Sequence, residues 1–427
     1  MRARYGDVFT VGFGPTDVTI LGHPRHAEHV LRDNADNYQD KGGMHGFRAG
    51  HYPLMRTGLA TVTGDSASWR QQRRVIQPAL HPRHLEAFIE VMVEAIGDRL
   101  GHWPTTAESE RPIDLEREMT RMTMHVIGQT VFGTAIAPHE ADRLAAAVRE
   151  TFDYTWRGAA AMSLPAWVPW PGQRRYRRAI ETVHQGVAEL VERSLRHGDP
   201  TRHLVAALWQ ASRSEDDAAA ARGYVHTEAL TLLITGYEST AAALSWAFHL
   251  LSRHPSVLET LRAEVDAVLG ERRPTYPDLA RLPYARMVVE ETLRLYPPSH
   301  WIQRRAASED EIDGFTIRAG AIVAPMIHLI HHHPDVWDDP GRFRPERFTP
   351  DRVAERHRLA WIPFGAGQRM CPAEEFGLVK SQLILAQVLQ RYDVTAVPGR
   401  VPGIRVGTNV RPAGGVWARV TPRRTSW

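Results

Sequence analysis

The sequence predicts one large, mainly α-helical fold with small β-sheets. Apolar residues recur at helical spacing through most of the chain, and the segment from Tyr224 to Ser252 is apolar nearly all round, as expected of a helix buried at the centre. Runs with the alternating pattern of strands are short. We therefore expect a single domain over residues 1–427, with a β-rich N-terminal part over about 1–63 and a helical body over about 64–427.

Composition argues against several classes of function. The formal net charge is +3, and no dense basic face with interleaved aromatic residues stands out, so a nucleic-acid partner is not expected. No apolar run is long enough to predict a membrane span, and the N-terminus lacks the hydrophobic core of a signal peptide. These features predict a cytoplasmic protein, which we expect to be a monomer.

The first half of the chain combines a hairpin, a long loop and helices. The loop is predicted over Asn37–Thr63, and loops of this length are often functional. In the helix that follows, which Asp65 or Ser66 can cap, Trp69 and Arg73 share one face because they are four residues apart. The other predictions are a hairpin formed by residues 8–12 and 17–21, helices over 83–133 with a break around 101–111, helices over 140–156 and 174–196, and a loop over 212–222.

An apolar segment rich in proline separates two of these helices. It spans Met162–Pro171, includes Trp167 and Trp170, and cannot be helical throughout because of its prolines. We predict an exposed hydrophobic turn or a lid over an apolar cavity.

Polar residues interrupt the long central helix in the run Thr235-Gly236-Tyr237-Glu238-Ser239-Thr240. An acid and two hydroxyl groups in a buried helix need hydrogen-bond partners. A kink at Gly236, with bonds from side chains to the local backbone, would create a groove with a polar patch. The alternative is a kinked helix whose polar groups are satisfied and take no part in chemistry.

A later helix carries Glu291 and Arg294, which are spaced to pair on one face. If this pair is buried, it needs a third partner to satisfy its charges, and the segment Phe343–Phe348 can supply one. Pro297-Pro298 ends the helix, and residues 299–305 are predicted to run extended along a pocket. The four histidines His328 and His331–His333 have no carboxylates at ligand spacing, so we predict no metal site there. Residues 404–416 predict a terminal hairpin whose tip can enter the pocket.

The only cysteine of the chain, Cys371, lies in a loop that contains Gly365 and Gly367. These glycines allow positive φ, so the loop is predicted to be tight and able to approach a flat group. Pro372 suits the first position of a helix, where the helix dipole and Arg369 would lower the pKa of the thiol. One thiolate is enough for haem iron, whereas zinc and iron–sulfur sites usually need several ligands. An inert buried cysteine and a nucleophile served by a distant histidine are the alternatives.

The run Phe364-Gly-Ala-Gly-Gln-Arg369-Met-Cys371 resembles the haem-binding loop of the cytochrome P450 superfamily, the haem-thiolate monooxygenases, in its soluble bacterial form. The family usually has glycine two residues after the cysteine, where this chain has Ala373. The central polar run is similar to the family's oxygen-activating motif. Glu238 takes the place of the acid, Ser239 the place usually held by threonine, and Thr240 is the adjacent hydroxyl.

The resemblance also implies a cofactor and the residues that hold it. The cofactor is haem b, and Cys371 is the axial ligand of its iron. Arg304 or Arg305 would meet a propionate, with Arg304 favoured. Arg347 would be the third partner of Glu291 and Arg294, behind the haem. The remaining cofactor contacts implied are Trp69, Arg73, Phe364, Gly365 and Arg369.

The activity implied is insertion of one oxygen atom of O2 into a C–H bond of a hydrophobic small molecule, a terpenoid first and a fatty acid next. Electrons would come from a separate ferredoxin and ferredoxin reductase, and we hypothesise that Arg70, Arg74 and Lys380 contribute to a basic docking face for them. Ser239 lacks the methyl group that fixes the rotamer of threonine, which keeps a peroxide-driven or non-hydroxylating haem-thiolate enzyme as an alternative. A haem-based ligand sensor is an alternative of another class.

Overall fold

The computed structural model describes residues 2–13, 16–41, 53–62, 66–80, 85–104, 111–158, 171–212 and 218–423. Its α-helices in these ranges are α1 (Arg2–Tyr5), α2 (Pro24–Glu28), α3 (Ser66–Ala79), α4 (Leu85–Leu100), α5 (Leu115–Ile127), α6 (Pro138–Gly158), α7 (Gln173–His197), α8 (Leu204–Ser212), α9 (Ala218–Arg253), α10 (Pro255–Leu269), α11 (Pro283–Leu295), α12 (Ile327–His331), α13 (Pro350–Glu355) and α14 (Glu374–Arg391). Its strands are β1 (Val8–Phe13), β2 (Thr16–Leu21), β3 (Ile113–Asp114), β4 (Arg304–Arg305), β5 (Asp310–Ile312), β6 (Phe315–Ile317), β7 (Ile322–Pro325), β8 (Tyr392–Ala396), β9 (Gly403–Arg405), β10 (Arg411–Ala413) and β11 (Trp417–Pro422). The predicted class, mainly α with small β-sheets, is confirmed.

Helix α9 is the central element, and it packs against α5, α7, α8 and α11. It is 36 residues long and starts at Ala218, so the predicted loop over 212–222 is wrong in its last five residues. That stretch begins with four alanines, which are the strongest helix formers. The helix runs without interruption through Gly236, where the sequence predicts a kink. Gly236 lies against α5, since a Cβ there would come within 2.9 Å of Ile127 Cδ1.

The N-terminal hairpin is completed by strands from the last third of the chain. Strand β2 pairs in parallel with β7, with Val18 opposite Ile322, and β4 pairs with the other edge of β7. The sheet therefore has the order β1-β2-β7-β4. Because β4 contains Arg304 and Arg305, this sheet fixes where those two side chains lie.

The other sheets are small. Strands β3, β11 and β8 form one sheet, β5 pairs with β6, and β9 pairs with β10 as the predicted terminal hairpin. Residues 162–170 of the predicted lid, with Trp167 and Trp170, lie outside the described residues, as does Asp65. None of the described helices combines the length and the apolar composition that crossing a membrane requires.

Candidate active site

A cavity of about 440 Å³ lies between α9, the loop of Cys371, the start of α14 and the tip of the β9–β10 hairpin. Its walls contain Glu238, Ser239, Thr240 and Cys371, which the sequence places in one site. Most of the remaining lining is apolar and includes Met55, Ile127, Val131, Phe152, Leu232 and Ile302. The cavity suits a hydrophobic guest with a few polar groups along one side.

Two glycines with positive φ shape the cysteine loop. Gly365 has φ 76° and Gly367 has φ 71°. A Cβ on Gly367 would lie 1.9 Å from the carbonyl oxygen of Leu31, so the backbone leaves no room for a side chain there. The N–H of Cys371 donates to the carbonyl of Phe364 at 2.9 Å and closes the loop. Helix α14 begins at Glu374, where the helical pattern of the sequence also starts, and Pro372 lies two positions before it and is not its first residue.

The pKa of the Cys371 thiol is shifted in the opposite direction from the prediction. Burial raises the pKa of Cys371, and the opposing effects of the Ala373 N–H and of the Arg73 and Lys41 charges do not outweigh it. The predicted lowering by the helix terminus is therefore wrong, because removal of the thiol from water dominates. A metal cation at the sulfur would deprotonate it outright, as it does any coordinating thiol.

Four cationic side chains gather beside this loop: Lys41, Arg73, Arg304 and Arg369. Each hydrogen-bonds to a backbone carbonyl, since Lys41 donates to Ala60 at 2.7 Å, Arg73 to Met370 at 2.5 Å, Arg304 to Gln303 at 2.7 Å and Arg369 to Val62 at 3.0 Å. None of the four forms an ion pair with another described residue. Burial and the three arginine charges lower the pKa of Lys41 to about 7.

This cluster carries more positive charge than the described protein groups around it neutralise. Arg304 is buried and the other three are half-buried, and two carboxylates at this edge of the cavity would relieve the repulsion among the four charges. Haem carries two propionates, so the cation cluster and the single cysteine together fit that group. Lys41 is missing from the sequence-based prediction because it lies in a loop without periodicity.

Trp69 and Arg73, the two cofactor contacts predicted in α3, lie behind the cavity wall. The centroid of the Trp69 ring is 4.3 Å from Arg369 Cζ and 5.7 Å from Arg73 Cζ, so the ring contacts both guanidinium groups. Neither Trp69 nor Arg73 lines the cavity itself, whereas Arg304 and Arg369 do. Arg305 turns away and lies 3.5 Å from the carboxylate of Asp40.

The polar run of α9 is bonded to its own backbone and to the hairpin tip. Ser239 Oγ donates to the carbonyl of Thr235 at 2.9 Å, and Thr240 Oγ1 to that of Gly236 at 3.3 Å. Glu238 Oε2 accepts a hydrogen bond of 2.8 Å from Asn409 Nδ2. Burial raises the pKa of Glu238 to about 7, against the fields of Arg411 and Arg149.

A buried ion pair between Arg294 and Glu291 of α11 lies behind the cysteine loop. Arg294 donates through Nε to Glu291 Oε2 at 2.6 Å and through Nη2 to Oε1 at 2.8 Å, and both side chains are fully buried. Arg347 Nε is 3.4 Å from Glu291 Oε1. His331 lies between this pair and the cysteine loop, because its Nδ1 is 3.2 Å from the Arg294 carbonyl and its Nε2 accepts from the Ile362 N–H at 2.9 Å. Both ring nitrogens of His331 are thus committed to the fold.

Comparison with known proteins decides the family. The cytochrome P450 family model matches residues 1–412. This chain belongs to the cytochrome P450 family. Over 92% of this P450 and 84% of the relative, it is 34% identical to a cyclooctat-9-en-7-ol 5-monooxygenase of Streptomyces melanosporofaciens.

Two further comparisons agree with this assignment. The P450 is 31% identical to a pentalenene oxygenase of Streptomyces avermitilis, over 93% of this chain and 86% of that one. The solved heme domain of cytochrome P450DA shares the fold, with a TM-score of 0.84 and 23% identity over 98% of this chain and 89% of that one. The resemblance drawn from the sequence is therefore confirmed: the protein is a P450 monooxygenase, and its family implies a haem cofactor.

One sequence-based expectation about the P450 surface is wrong. Arg70 and Arg74 are exposed, but Lys380 is only 1% exposed and cannot contribute to a docking face. Helix α14 is buried on almost every side, so its one lysine points into the protein. Sequence reasoning also missed Asn409, whose place at a hairpin tip gives no signal of its contact with Glu238.

Proposed function

We propose that this P450 hydroxylates a terpenoid. The observation that carries the proposal is the combination of a mostly apolar cavity with relatives named for cyclooctat-9-en-7-ol, cyclooctatin and pentalenene. A rigid polycyclic skeleton suits a compact apolar cavity, because it loses little conformational entropy on binding. A fatty acid ranks second, since a flexible chain loses more entropy in the same space.

The cofactor in this proposal is haem b. Cys371 would bind its iron through the thiolate, Lys41, Arg304 and Arg369 would hold the propionates, and Phe364 and Gly365 would contact the ring. Trp69 and Arg73 would support these contacts from behind. When bound, the haem supplies oxygen activation at an iron whose thiolate ligand donates electron density.

Glu238, Ser239 and Thr240 of α9 would deliver protons to the side of the cavity where oxygen would bind. Asn409 holds Oε2 of Glu238, which leaves Oε1 as the atom that passes a proton to water. Ser239 and Thr240 present their hydroxyl groups one and two residues further along and would orient that water. With a pKa near 7, Glu238 can both hold and release a proton at physiological pH.

Replacing Glu238 with Gln tests this relay. The change preserves shape but removes the proton, so we expect the product formed per reduced cofactor to fall by roughly 10- to 100-fold. The wild-type side chain is protonated below pH about 7 and ionised above it, so wild-type coupling should decline as the pH rises through 7. The coupling of E238Q should not change across this pH range. Measuring product and hydrogen peroxide against pH checks both effects.

Ser239→Thr is the matched comparison for that experiment. It introduces the family's usual residue, whose methyl group restricts the rotamer, and should raise coupling. A Glu238→Gln protein with wild-type coupling and an unchanged pH profile would exclude the relay.

Electrons would reach the haem from a separate ferredoxin and its reductase. Helix α3 carries Arg70 and Arg74 on its exposed side, while Arg73 of the same helix contacts the cysteine loop through Met370. An acidic ferredoxin could approach the haem ligand along this helix.

Charge reversal of both arginines, R70E/R74E, should slow reduction by ferredoxin roughly tenfold at low salt. The difference should shrink as salt is added, because screening weakens steering. The control is R174E/R178E, the same charge change at the same spacing on α7, where both arginines are exposed. Equal rates for wild type and R70E/R74E at low salt would rule out this docking face.

Substrate binding tests the central proposal. Cyclooctat-9-en-7-ol, pentalenene and lauric acid would each be titrated into the purified haem protein, with the spin-state change of the ferric form as the readout. The terpenoids should bind at lower concentration than lauric acid. If lauric acid is the only one of the three that binds tightly, the substrate is a fatty acid and the terpenoid proposal is wrong.

Two other functions make opposite predictions. A peroxide-driven enzyme would turn over with hydrogen peroxide and would not need ferredoxin, oxygen or Glu238. A haem-based sensor would bind ligands without turnover. The paired acid and hydroxyl groups in the cavity wall favour the oxygen-dependent monooxygenase over both.

A further inference from the structure

Lys380 is a buried amine that the activity described above does not use. It is the seventh residue of α14, and its side chain crosses to the central helix. Its Nζ donates a hydrogen bond of 2.6 Å to the carbonyl oxygen of Gly236. Lys380 also lines the same cavity as Ser239, Thr240 and Cys371.

The surroundings of this amine do not neutralise it. No described carboxylate forms an ion pair with Lys380, and the Phe376 ring has its centroid 5.6 Å from Nζ. Burial lowers the pKa of Lys380 to about 7, although the charge of Cys371 acts in the opposite direction. A lysine that serves only to fill space would be less costly as methionine, which has a similar length and no charge.

The position of Nζ links it to the polar run of α9. The carbonyl oxygen of Gly236 accepts from Lys380 Nζ and also from Thr240 Oγ1 at 3.3 Å, so the amine and that hydroxyl share one acceptor and lie close together. An ammonium group has three N–H donors, and the Gly236 carbonyl is its one acceptor among the described residues. The other donors are available to water in the cavity.

We propose that Lys380 is a positioning residue for proton delivery, which fixes the Gly236 carbonyl and orders water beside the Ser239 and Thr240 hydroxyl groups. This role rests on the proton relay proposed above and adds a second residue to it: Glu238 exchanges protons with the water, and Lys380 holds the water in place. Because Lys380 belongs to α14, the helix that follows the haem ligand, its hydrogen bond to Gly236 links the α14 wall of the cavity to the α9 wall.

Replacing Lys380 with Met is the first test. Haem content and the reduced carbon monoxide spectrum should stay as in wild type, while product per reduced cofactor falls by roughly three- to tenfold and hydrogen peroxide rises. Lys380→Gln, whose amide can still donate to a carbonyl, should recover part of the loss. The control is Gln387→Met, which removes another buried polar group from α14, seven residues further on and outside the cavity wall. It should leave coupling unchanged.

The second test reads the hydrogen-bond network directly and does not depend on turnover. Lys41 and Lys380 are the only lysines in the chain, so protein labelled with 13C and 15N in lysine gives two sets of side-chain signals, which Lys41→Arg assigns. In the diamagnetic reduced carbon monoxide complex, Ser239→Ala should shift the Cε and Nζ signals of Lys380 and leave those of Lys41 in place. This comparison uses the native lysine and remains decisive if K380M fails to fold.

The outcomes separate this role from the relay itself. Wild-type coupling in K380M, alongside a loss in E238Q, would overturn the role of Lys380 and keep the relay. Unchanged coupling in both variants would overturn the relay and Lys380 with it. If the Lys380 signals do not shift in Ser239→Ala, or if Gln387→Met loses as much coupling as K380M, then Lys380 only packs in the core and does not position water.

Discussion

Replacing Cys371 with Ser is expected to abolish monooxygenation. The serine hydroxyl has nearly the same shape but does not ionise at neutral pH, and the chain has no second cysteine to supply a thiolate. Turnover should fall to background, more than about a thousandfold, which corresponds to at least ~4 kcal/mol of lost transition-state stabilisation. The reduced carbon monoxide complex should lose the absorption band characteristic of a thiolate ligand. Spectra and turnover of the two purified proteins check the expectation.

Ala373→Gly is the matched control for this loop. It changes a neighbouring residue to the one that the family usually has, without touching the sulfur, and should keep the thiolate-type band. A Cys371→Ser protein that retained the band would show that another group ligates the iron. Loss of the band in both variants would point to loop geometry rather than to the ligand atom.

Replacing Arg294 with Met should give the largest loss of stability. The change leaves Glu291 buried without its bidentate partner and also removes hydrogen bonds to the carbonyls of His331 at 2.9 Å and Pro340 at 2.7 Å. An unpaired buried charge of this kind typically costs about 3–5 kcal/mol of the free energy of unfolding. Urea denaturation followed by circular dichroism measures the difference. The double variant E291Q/R294M should recover part of it, because the buried carboxylate is then neutral, although Arg347 loses the charge 3.4 Å from its Nε.

The chain offers an exposed pair with the same spacing as the control. Arg352 and Glu355 are also three residues apart, 3.8 Å from each other, with side chains 65% and 72% exposed. Arg352→Met should change the free energy of unfolding by less than about 1 kcal/mol. If both arginine variants unfold at the same urea concentration as wild type, the buried pair contributes nothing to stability.

The sequence was most informative where the signal is local. The cysteine loop, the Glu291–Arg294 spacing and the polar run of α9 each occupy a few consecutive residues, and the backbone alone brings their members together. The terminal hairpin was predictable for the same reason. In each case, short-range geometry restricts which atoms can meet.

Features that depend on tertiary packing escaped prediction. Lys41 lies in a loop whose path no periodicity reveals, and Asn409 meets Glu238 across 171 residues of chain. Lys380 was assigned to the surface because charge is usually exposed, but α14 packs into the core on nearly all sides. The pKa of Cys371 depends on how completely the fold removes the sulfur from water, which the helix terminus alone does not determine.

The parallel pairing of β2 with β7 has a consequence for how the protein is made. Val18 meets Ile322, so the N-terminal hairpin is synthesised roughly 300 residues before the strand that completes its sheet. At ~5–20 residues per second, that delay is about 15–60 seconds on the ribosome. During this time the inner edge of β2 has no partner strand, which is the condition under which strands pair wrongly. Strand β4, which presents Arg304 to the cavity, joins the sheet only through β7. The cation cluster beside Cys371 can therefore assemble only after β7 has been made, when most of the helical body already exists.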